Sequence, residues 1–393
     1  MTGLFPPLPD ETRLLFQKLP RLIDETFPIP GRFRPQLPRD VAELSGLLTF
    51  DRPERGSSYL GKPALLSAYL RYFMPWNIYR LSRLFGFLPL QLNPNDAVND
   101  LGSGPLTLAS ALWTSRPDLR KIPLEFRCLD KTAAVLEAGK KFFASLTKTT
   151  DDPCPWTVRT IKGDVKKNGS LSVEIKGKPA ALSAAVNIYN EIFWNFSPLD
   201  RGGLERFTEN QARLLSSLTE NSGSVFVAEP GIPRAGEFIS LLRSSLLAKG
   251  RFPVSPCTHR GACPLPGIST NKRVKAKWCH FAFDTTDAPA ELHKLSAAAG
   301  IPKERAAFSF ILAGPAQQEA KPSSDKVKIR IISDCFPVGE KSWGRYGCSE
   351  PGLVLVTGNR KNLENMPHGT LAEFPLLKGE IDAKSGALLV KAT

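Results

Sequence analysis

The chain has 393 residues, 42% of them hydrophobic and 23% charged, with 52 basic against 38 acidic side chains and a net charge of +14. That length exceeds what one hydrophobic core usually serves and predicts two or three globular domains. The positive balance selects acidic partners, nucleic acid before anionic membrane, and no apolar run approaches the ~20 residues that a membrane helix needs.

The opening stretch, MTGLFPPLPDETRLLF, has prolines and early acids. It resembles neither a secretory signal nor an Arg-rich transit peptide, so a cytoplasmic protein is expected. Residues 1 to about 95 read as a helical, proline-punctuated subdomain. In ALLSAYLRYFMPWNIYRL, apolar residues recur at Leu65, Ala68, Tyr69, Tyr72, Phe73, Trp76 and Tyr79. This is the spacing of an amphipathic helix, bent at Pro75, with Arg71, Arg80 and Arg83 on a solvated polar edge.

The texture changes at residue 96. AVNDLGSGPLTLASALW reads as strand, glycine turn and helix, and LEFRCLDKTAAVLEAGKKFFASL repeats that order. PWTVRTIKGDV, AALSAAVNIYNEIFW and NSGSVFVAEPG supply further strands. Strands alternating with helices predict βαβ units and a mostly parallel sheet over residues 96–255. Beyond it, KWCHFAFD, AAFSFILAG, KVKIRIISD, PGLVLVTG and SGALLVK are short strands of a smaller β domain, and PAQQEAKPSSD is an exposed loop.

DLGSGPLT places Asp100, Gly102, Ser103 and Gly104 between a strand and a helix. Glycines there let backbone approach a nucleotide-like ligand. Three features favour S-adenosylmethionine (SAM) over a dinucleotide. Asp100 precedes the first glycine, where it can neutralise an ammonium. Pro105 lacks the N–H that a phosphate would want. Asp130 ends the next strand, where it can accept from ribose hydroxyls. Asp164 in GDV suits a contact near adenine, and Asn190 and Glu191 follow the fourth strand at the ligand edge of the sheet. In NIYNEIF, Asn190 and Tyr189 are candidates to orient and stack on a nucleobase; the alternative is that Asn190 and Glu191 cap the next helix.

PCTHRGACPLPGISTNKRVKAKWCHF carries Cys257, Cys263 and Cys279 together with Arg260, Lys272, Arg273, Lys275 and Lys277, and no carboxylate. Clustered thiols in a large chain point to a metal site. Candidates for a fourth ligand are Cys348, Cys335, His259 and His280, with Cys348 first. Cys128 reads as a core residue and Cys154 as a loop thiol. Zinc and iron–sulfur clusters both accept four thiolates. Paired CxxC knuckles are absent, and the wide spacing suits a [4Fe-4S] cluster at least as well as zinc. The CxxxCxxC of radical SAM enzymes is also absent.

From Ser57 to Cys348 the chain resembles the methyltransferase-like family that assembles the small ribosomal subunit, best known from mitochondria and also present in bacteria. The resemblance rests on SSYLGKPALLSAYLRYFMPWNIYRL, NDLGSGPLT, VNIYNEIFW, VFVAEPGIPRAGEFISLLR, PCTHRGACPL and KWCHF. It implies a class I SAM-methyltransferase (Rossmann-like) α/β fold, a [4Fe-4S] cluster and association with small-subunit rRNA. The family's cluster cysteines map onto Cys257, Cys263, Cys279 and Cys348, and its SAM loop onto Asp100, Gly102 and Gly104. Leu106 departs from the loop's usual third glycine, and the tail after Gly352 matches poorly.

The sequence reading is therefore a helical N-terminal subdomain over 1–95, a SAM-methyltransferase-like domain over 96–255, and a cysteine-rich segment with a small β domain over 256–393. The expected protein is a monomer away from the membrane. It binds SAM and small-subunit rRNA during ribosome assembly, with a metal-stapled basic loop as an RNA contact. An active rRNA methyltransferase and a zinc-containing small-molecule methyltransferase are the alternatives.

Overall fold

Helix α1 (Asp10–Thr26) buries Leu15, Phe16, Leu19 and Ile23 along one stripe, and α2 (Leu37–Thr49) buries Val41 and Leu44. The computed structural model describes residues 3–49, 59–194, 196–197, 200–268, 277–316, 326–339, 342–375 and 380–392. Lys272, Arg273, Lys275 and most of the PAQQEAKPSSD loop lie outside these residues.

The predicted long helix is α3 (Pro63–Ala68), a π turn (Tyr69–Phe73) and α4 (Met74–Phe85). Pro75 occupies the first turn of α4, where a missing N–H costs nothing, so the irregularity falls just before it. The expected polar edge is not solvated. Arg71 and Arg83 are buried and Arg80 partly so. Arg71 donates to Asp24 and Ser67, and Arg83 to Asp287 at 2.7 Å. The physical reason is that α4 is covered on several sides: α1 and α5 (Thr107–Ser115) pack against it, and Asp287 reaches it from beyond the cysteine loop. Periodicity reads one apolar face; it does not reveal that the opposite face meets protein as well.

The main sheet contains β1 (Asp96–Leu101), β2 (Leu124–Asp130), β3 (Thr157–Lys162), β4 (Ala180–Val186), β5 (Thr219–Pro230), β6 (Phe252–Ser255), β7 (Phe281–Asp284) and β8 (Arg305–Gly314). Its order is β3-β2-β1-β4-β5-β8-β6, with β7 also paired to β8. The first five strands are parallel, and β8 runs antiparallel to β5. A parallel sheet whose order reverses between β1 and β4, closed by an antiparallel strand beside β5, is the class I methyltransferase arrangement. The sheet thus draws β7 and β8 from beyond residue 255, where the sequence reading had ended this domain. The cysteine loop interrupts the domain in sequence, while hydrogen bonding completes the sheet in space.

Two cores flank this sheet. One joins the N-terminal helices, α5 and α6 (Ala133–Thr147). The other joins α7 (Tyr189–Phe193), α8 (Arg201–Leu218) and α9 (Pro233–Leu247). Helix α10 (Ala290–Ala298) bridges β7 and β8. A second sheet, ordered β13-β9-β11-β12-β14, comprises β9 (Lys326–Ile331), β11 (Trp343–Ser349), β12 (Gly352–Gly358), β13 (Leu371–Pro375) and β14 (Leu388–Lys391). The short β10 (Phe336–Pro337) pairs with β11, and α11 (Arg360–Glu364) packs on β11 and β12. Arg330 on β9 is the cross-strand partner of Cys348 on β11, and it donates to the carbonyls of Pro256 and Gly369. The second sheet is thereby held against the first part of the cysteine loop.

Candidate functional site

The carboxyl ends of β1 and β4 face each other across the point where the strand order reverses, the usual ligand position in such sheets. A narrow cleft there is lined by Asp100, Gly102, Ser103, Gly104, Val186 and Asn187, with Tyr69 and Asn77 closing it from the helical side. The loop after β1 has left-handed backbone at alternate residues: Gly102 (φ 69°), Gly104 (φ 54°) and Leu106 (φ 56°). Glycine adopts that region without a Cβ penalty. At Gly102 a Cβ would also collide with Ile188, 2.6 Å from its Cδ1.

Asp100 is almost fully buried and accepts from the Ser103 hydroxyl at 2.6 Å. Burial pushes its carboxyl up to about 7, Asp130 adds to the rise, and the Ser103 hydrogen bond opposes it. Asp130 accepts from the Gly104 N–H at 3.0 Å and the Thr132 N–H at 2.8 Å. Burial raises Asp130 as well, against those two donors. A buried acid and a half-buried one beside an open glycine loop suit a ligand that brings positive charge.

The other expected contacts fall elsewhere. Asp164 lies beyond the end of β3, exposed and ion-paired with Lys166 at 2.9 Å. Asn190 is buried in α7, donating to Glu229 at 2.8 Å and to the Asn187 carbonyl. The Tyr189 ring is fully buried between Phe207 and Phe238, in the core and away from the cleft. Glu191 accepts from the Tyr59 hydroxyl at 3.2 Å.

The side chain that meets the cleft from β4 is Asn187, with left-handed backbone at φ 57° and its side-chain oxygen accepting from Arg80 at 2.9 Å. Sequence reading passed over it for Asn190, three positions on. The available signal was that Asn187 directly follows the last strand residue, and that Asn tolerates left-handed backbone. Glu229, at the end of β5, was also missed. Its carboxylate receives the N–H groups of Tyr189 and Asn190 and so fixes the first turn of α7.

The second site gathers thiols. Burial raises Cys279 well above the ordinary thiol range, and Cys263, Cys257 and Cys348 push it further. Burial likewise raises Cys348, with Cys257 and Cys263 adding, and Cys257, with Cys263 adding. Arg243 of α9 and Arg330 oppose these rises at Cys257 and Cys348. Arg330, the cross-strand partner of Cys348, reaches the Pro256 carbonyl at 3.1 Å, so β11 lies beside the start of the cysteine loop. The His259 Nε2 lies 3.4 Å from the Cys348 sulfur. Cys335 packs against the core of the second sheet, a different cluster from the one that contains Cys348. His280 instead stacks on Trp278. Among the described residues, no group of three or more His, Cys, Asp or Glu side chains is arranged to hold a metal ion. Also among them, no helix is long and apolar enough to cross a membrane.

No curated protein matches the chain. Among solved structures it is similar to a putative class I SAM-dependent methyltransferase from Listeria monocytogenes, at 10% identity over 80% of this chain and 90% of that one, TM-score 0.35. It is similar to a putative methyltransferase from Bacillus halodurans, at 12% identity over 60% and 99% of the two chains, TM-score 0.31. It is also similar to the complex of the Haloferax volcanii Trm112 methyltransferase activator with a putative methyltransferase, at 12% identity over 62% and 91%, TM-score 0.31. Residues 203–341 match the family model described as mitochondrial small ribosomal subunit Rsm22. That match bears out the resemblance to the methyltransferase-like small-subunit family stated from the motifs.

Proposed function

We propose that this protein is a SAM-binding, methyltransferase-like factor that acts on the small ribosomal subunit by binding rRNA during its assembly. We propose further that Cys257, Cys263, Cys279 and Cys348 hold a [4Fe-4S] cluster. The observation that supports this reading is that the family match spans the three-cysteine loop, and that His259 of this loop lies 3.4 Å from the Cys348 sulfur on β11.

By donor type, carboxylates in the cleft and thiols in the cysteine loop, the residues match the chemistry of the two groups. In the cleft, Asp100 supplies a buried carboxylate for the SAM ammonium, and Asp130 retains acceptor capacity for ribose hydroxyls. SAM, when bound, supplies an electrophilic methyl group. Burial raises Cys257, Cys279 and Cys348, which favours their thiol forms, so loading a metal centre would release protons and convert binding into folding free energy. Arg243 and Arg330 then face developing thiolate charge. The centre would be structural, joining the loop after β6 to β11 and closing a long stretch of chain. Lys and Arg contacts to rRNA phosphates would make binding strongly salt-dependent.

Anaerobic purification followed by iron, sulfide and zinc quantification tests the centre. Iron with matching sulfide supports it; zinc alone replaces it with the zinc alternative. RNA binding over a salt series tests the partner.

The position of Asn187 at the end of β4 favours a second reading, an active rRNA methyltransferase. Methyl transfer from SAM to deproteinised small-subunit rRNA, abolished by Asp100→Ala, would support that reading.

A further inference from the structure

The His259 ring and the Cys348 sulfur meet across 89 positions of chain, with Nε2 at 3.4 Å from Sγ. Both residues are buried, each 7% exposed. His259 follows β6 of the main sheet and Cys348 lies on β11 of the second sheet, so the contact joins the two. Each side is fixed independently. Arg243 of α9, itself 3% exposed, donates to the His259 carbonyl at 2.8 Å. Cys348 is held by its ladder positions, opposite Leu353 on β12 and Arg330 on β9. The ring is thus aimed from the loop and the sulfur from the strand.

Two roles are open to a ring placed this way: ligand to a metal, or hydrogen-bond donor to a ligand. Thiolate is the softer donor, the one that iron–sulfur centres select, so Cys348 takes the metal ahead of the imidazole. A metal-bound thiolate carries no proton and can only accept, whereas a neutral imidazole offers one N–H and one bare nitrogen. The ring therefore turns its N–H to the sulfur. Such a bond draws charge from the sulfur and favours the reduced centre, which carries one more electron.

We propose that the Nε2–H of His259 donates a hydrogen bond to the Cys348 sulfur of the metal centre, making His259 a positioning residue that holds this ligand and raises the reduction potential. This role rests on the reading that the four cysteines hold a cluster.

The experiment uses the full chain, purified anaerobically, as the parent, His259→Leu and His259→Gln. Iron, sulfide and zinc are counted first. The reduction potential and the rate at which a chelator strips the metal are then read. His259→Leu should keep iron and sulfide, lower the potential and lose metal roughly tenfold faster. His259→Gln, whose amide N–H reaches a similar distance, should restore both toward the parent. A parent potential and stripping rate in His259→Leu overturn the hydrogen bond and leave the cluster reading standing. If the parent carries zinc alone, the iron–sulfur reading falls; faster zinc loss from His259→Leu still upholds the hydrogen bond, and equal loss overturns it. If the parent carries no metal, both fall. A further measurement keeps the test open should His259→Leu misfold. In the reduced His280→Gln chain carrying isotope-labelled histidine, where the histidine beside Cys279 is gone, pulsed electron paramagnetic resonance should show a weak nitrogen coupling. A strong coupling would make His259 a direct ligand and overturn its role as donor, as would none.

Discussion

Leu106 holds a left-handed backbone at φ 56°, and its side chain occupies space that Gly139 of α6 leaves open. A Cβ on Gly139 would lie 2.5 Å from the Pro105 carbonyl carbon and 2.7 Å from Leu106 Cγ. Two effects compete at Leu106. Replacing it by glycine relieves roughly 1–2 kcal/mol of left-handed strain. It also removes a fully buried leucine, worth roughly 2–5 kcal/mol with its cavity. The cavity wins, so Leu106→Gly should be destabilised despite resembling the usual glycine loop. Urea unfolding checks the sign, and a more stable variant would show that strain dominates. Gly139→Ala presses on backbone, which cannot rotate away, and should cost about 1–3 kcal/mol.

Cofactor binding should depend on pH through Asp100. Its carboxyl, pushed up to about 7 by burial, is partly protonated near neutrality and ionises as pH rises. The ionised form is the one that attracts an ammonium, so SAM affinity should increase between about pH 6 and 8. Asp130, raised by burial, faces the same loop and should add a smaller contribution in the same direction. Asp100→Asn should flatten most of the dependence and weaken binding at pH 8 by about tenfold or more. Calorimetric titration at three pH values is sufficient. A parent profile that is already flat would mean that Asp100 does not meet the ligand's charge.

At the thiol site, position distinguishes Cys348 from Cys335. Cys348 is buried, 3.4 Å from His259 of the cysteine loop, whereas Cys335 packs against the core of the second sheet. Cys257→Ser and Cys348→Ser should each reduce bound metal and lower stability by at least about 3 kcal/mol, what a ligand at roughly a hundredfold its Kd contributes. Cys335→Ser and Cys154→Ser should alter neither. Metal analysis and thermal melts on all four variants decide the point; equal metal content in Cys348→Ser and the parent would remove Cys348 from the centre.

The glycine loop and the cysteine loop were legible because each writes its chemistry locally. Gly102, Gly104 and Asp100 lie within one turn, and Cys257, Cys263 and Cys279 within one loop. What escaped reading was set by tertiary partners. Arg80 and Arg83 keep a helical polar spacing, yet one meets Asn187 and the other Asp287, each more than a hundred positions away. Asn187 and Asn190 differ by three residues in a polar stretch. The cleft takes the first, where the chain turns left-handed off β4, and Glu229 of β5 takes the second. The main sheet runs past the expected boundary at 255 for a related reason: β8 is apolar enough to read as a strand, but only its pairing with β5 says to which sheet it belongs.

Glu229 offers a test of that buried wiring. Three donors converge on its carboxyl: the N–H groups of Tyr189 and Asn190 and the Asn190 side-chain amide. Burial nevertheless pushes it up to about 7, with those donors opposing. A carboxyl raised above its unfolded value binds more protons when folded. Its contribution to stability is therefore complete below the ordinary carboxylate range and is lost as pH rises through about 7. Glu229→Gln preserves the volume but turns an amide NH₂ toward existing donors, and should cost roughly 1–3 kcal/mol at acidic pH. In exchange it removes one titrating group, so the gap between variant and parent should narrow as pH rises from about 5.5 to 8. Asp100 contributes a slope of the same sign, and the Asp100→Asn, Glu229→Gln double variant should be flatter than either single one. Thermal melts across that range test this, and a parallel profile for Glu229→Gln and the parent would mean that the three donors, not burial, set the charge on Glu229.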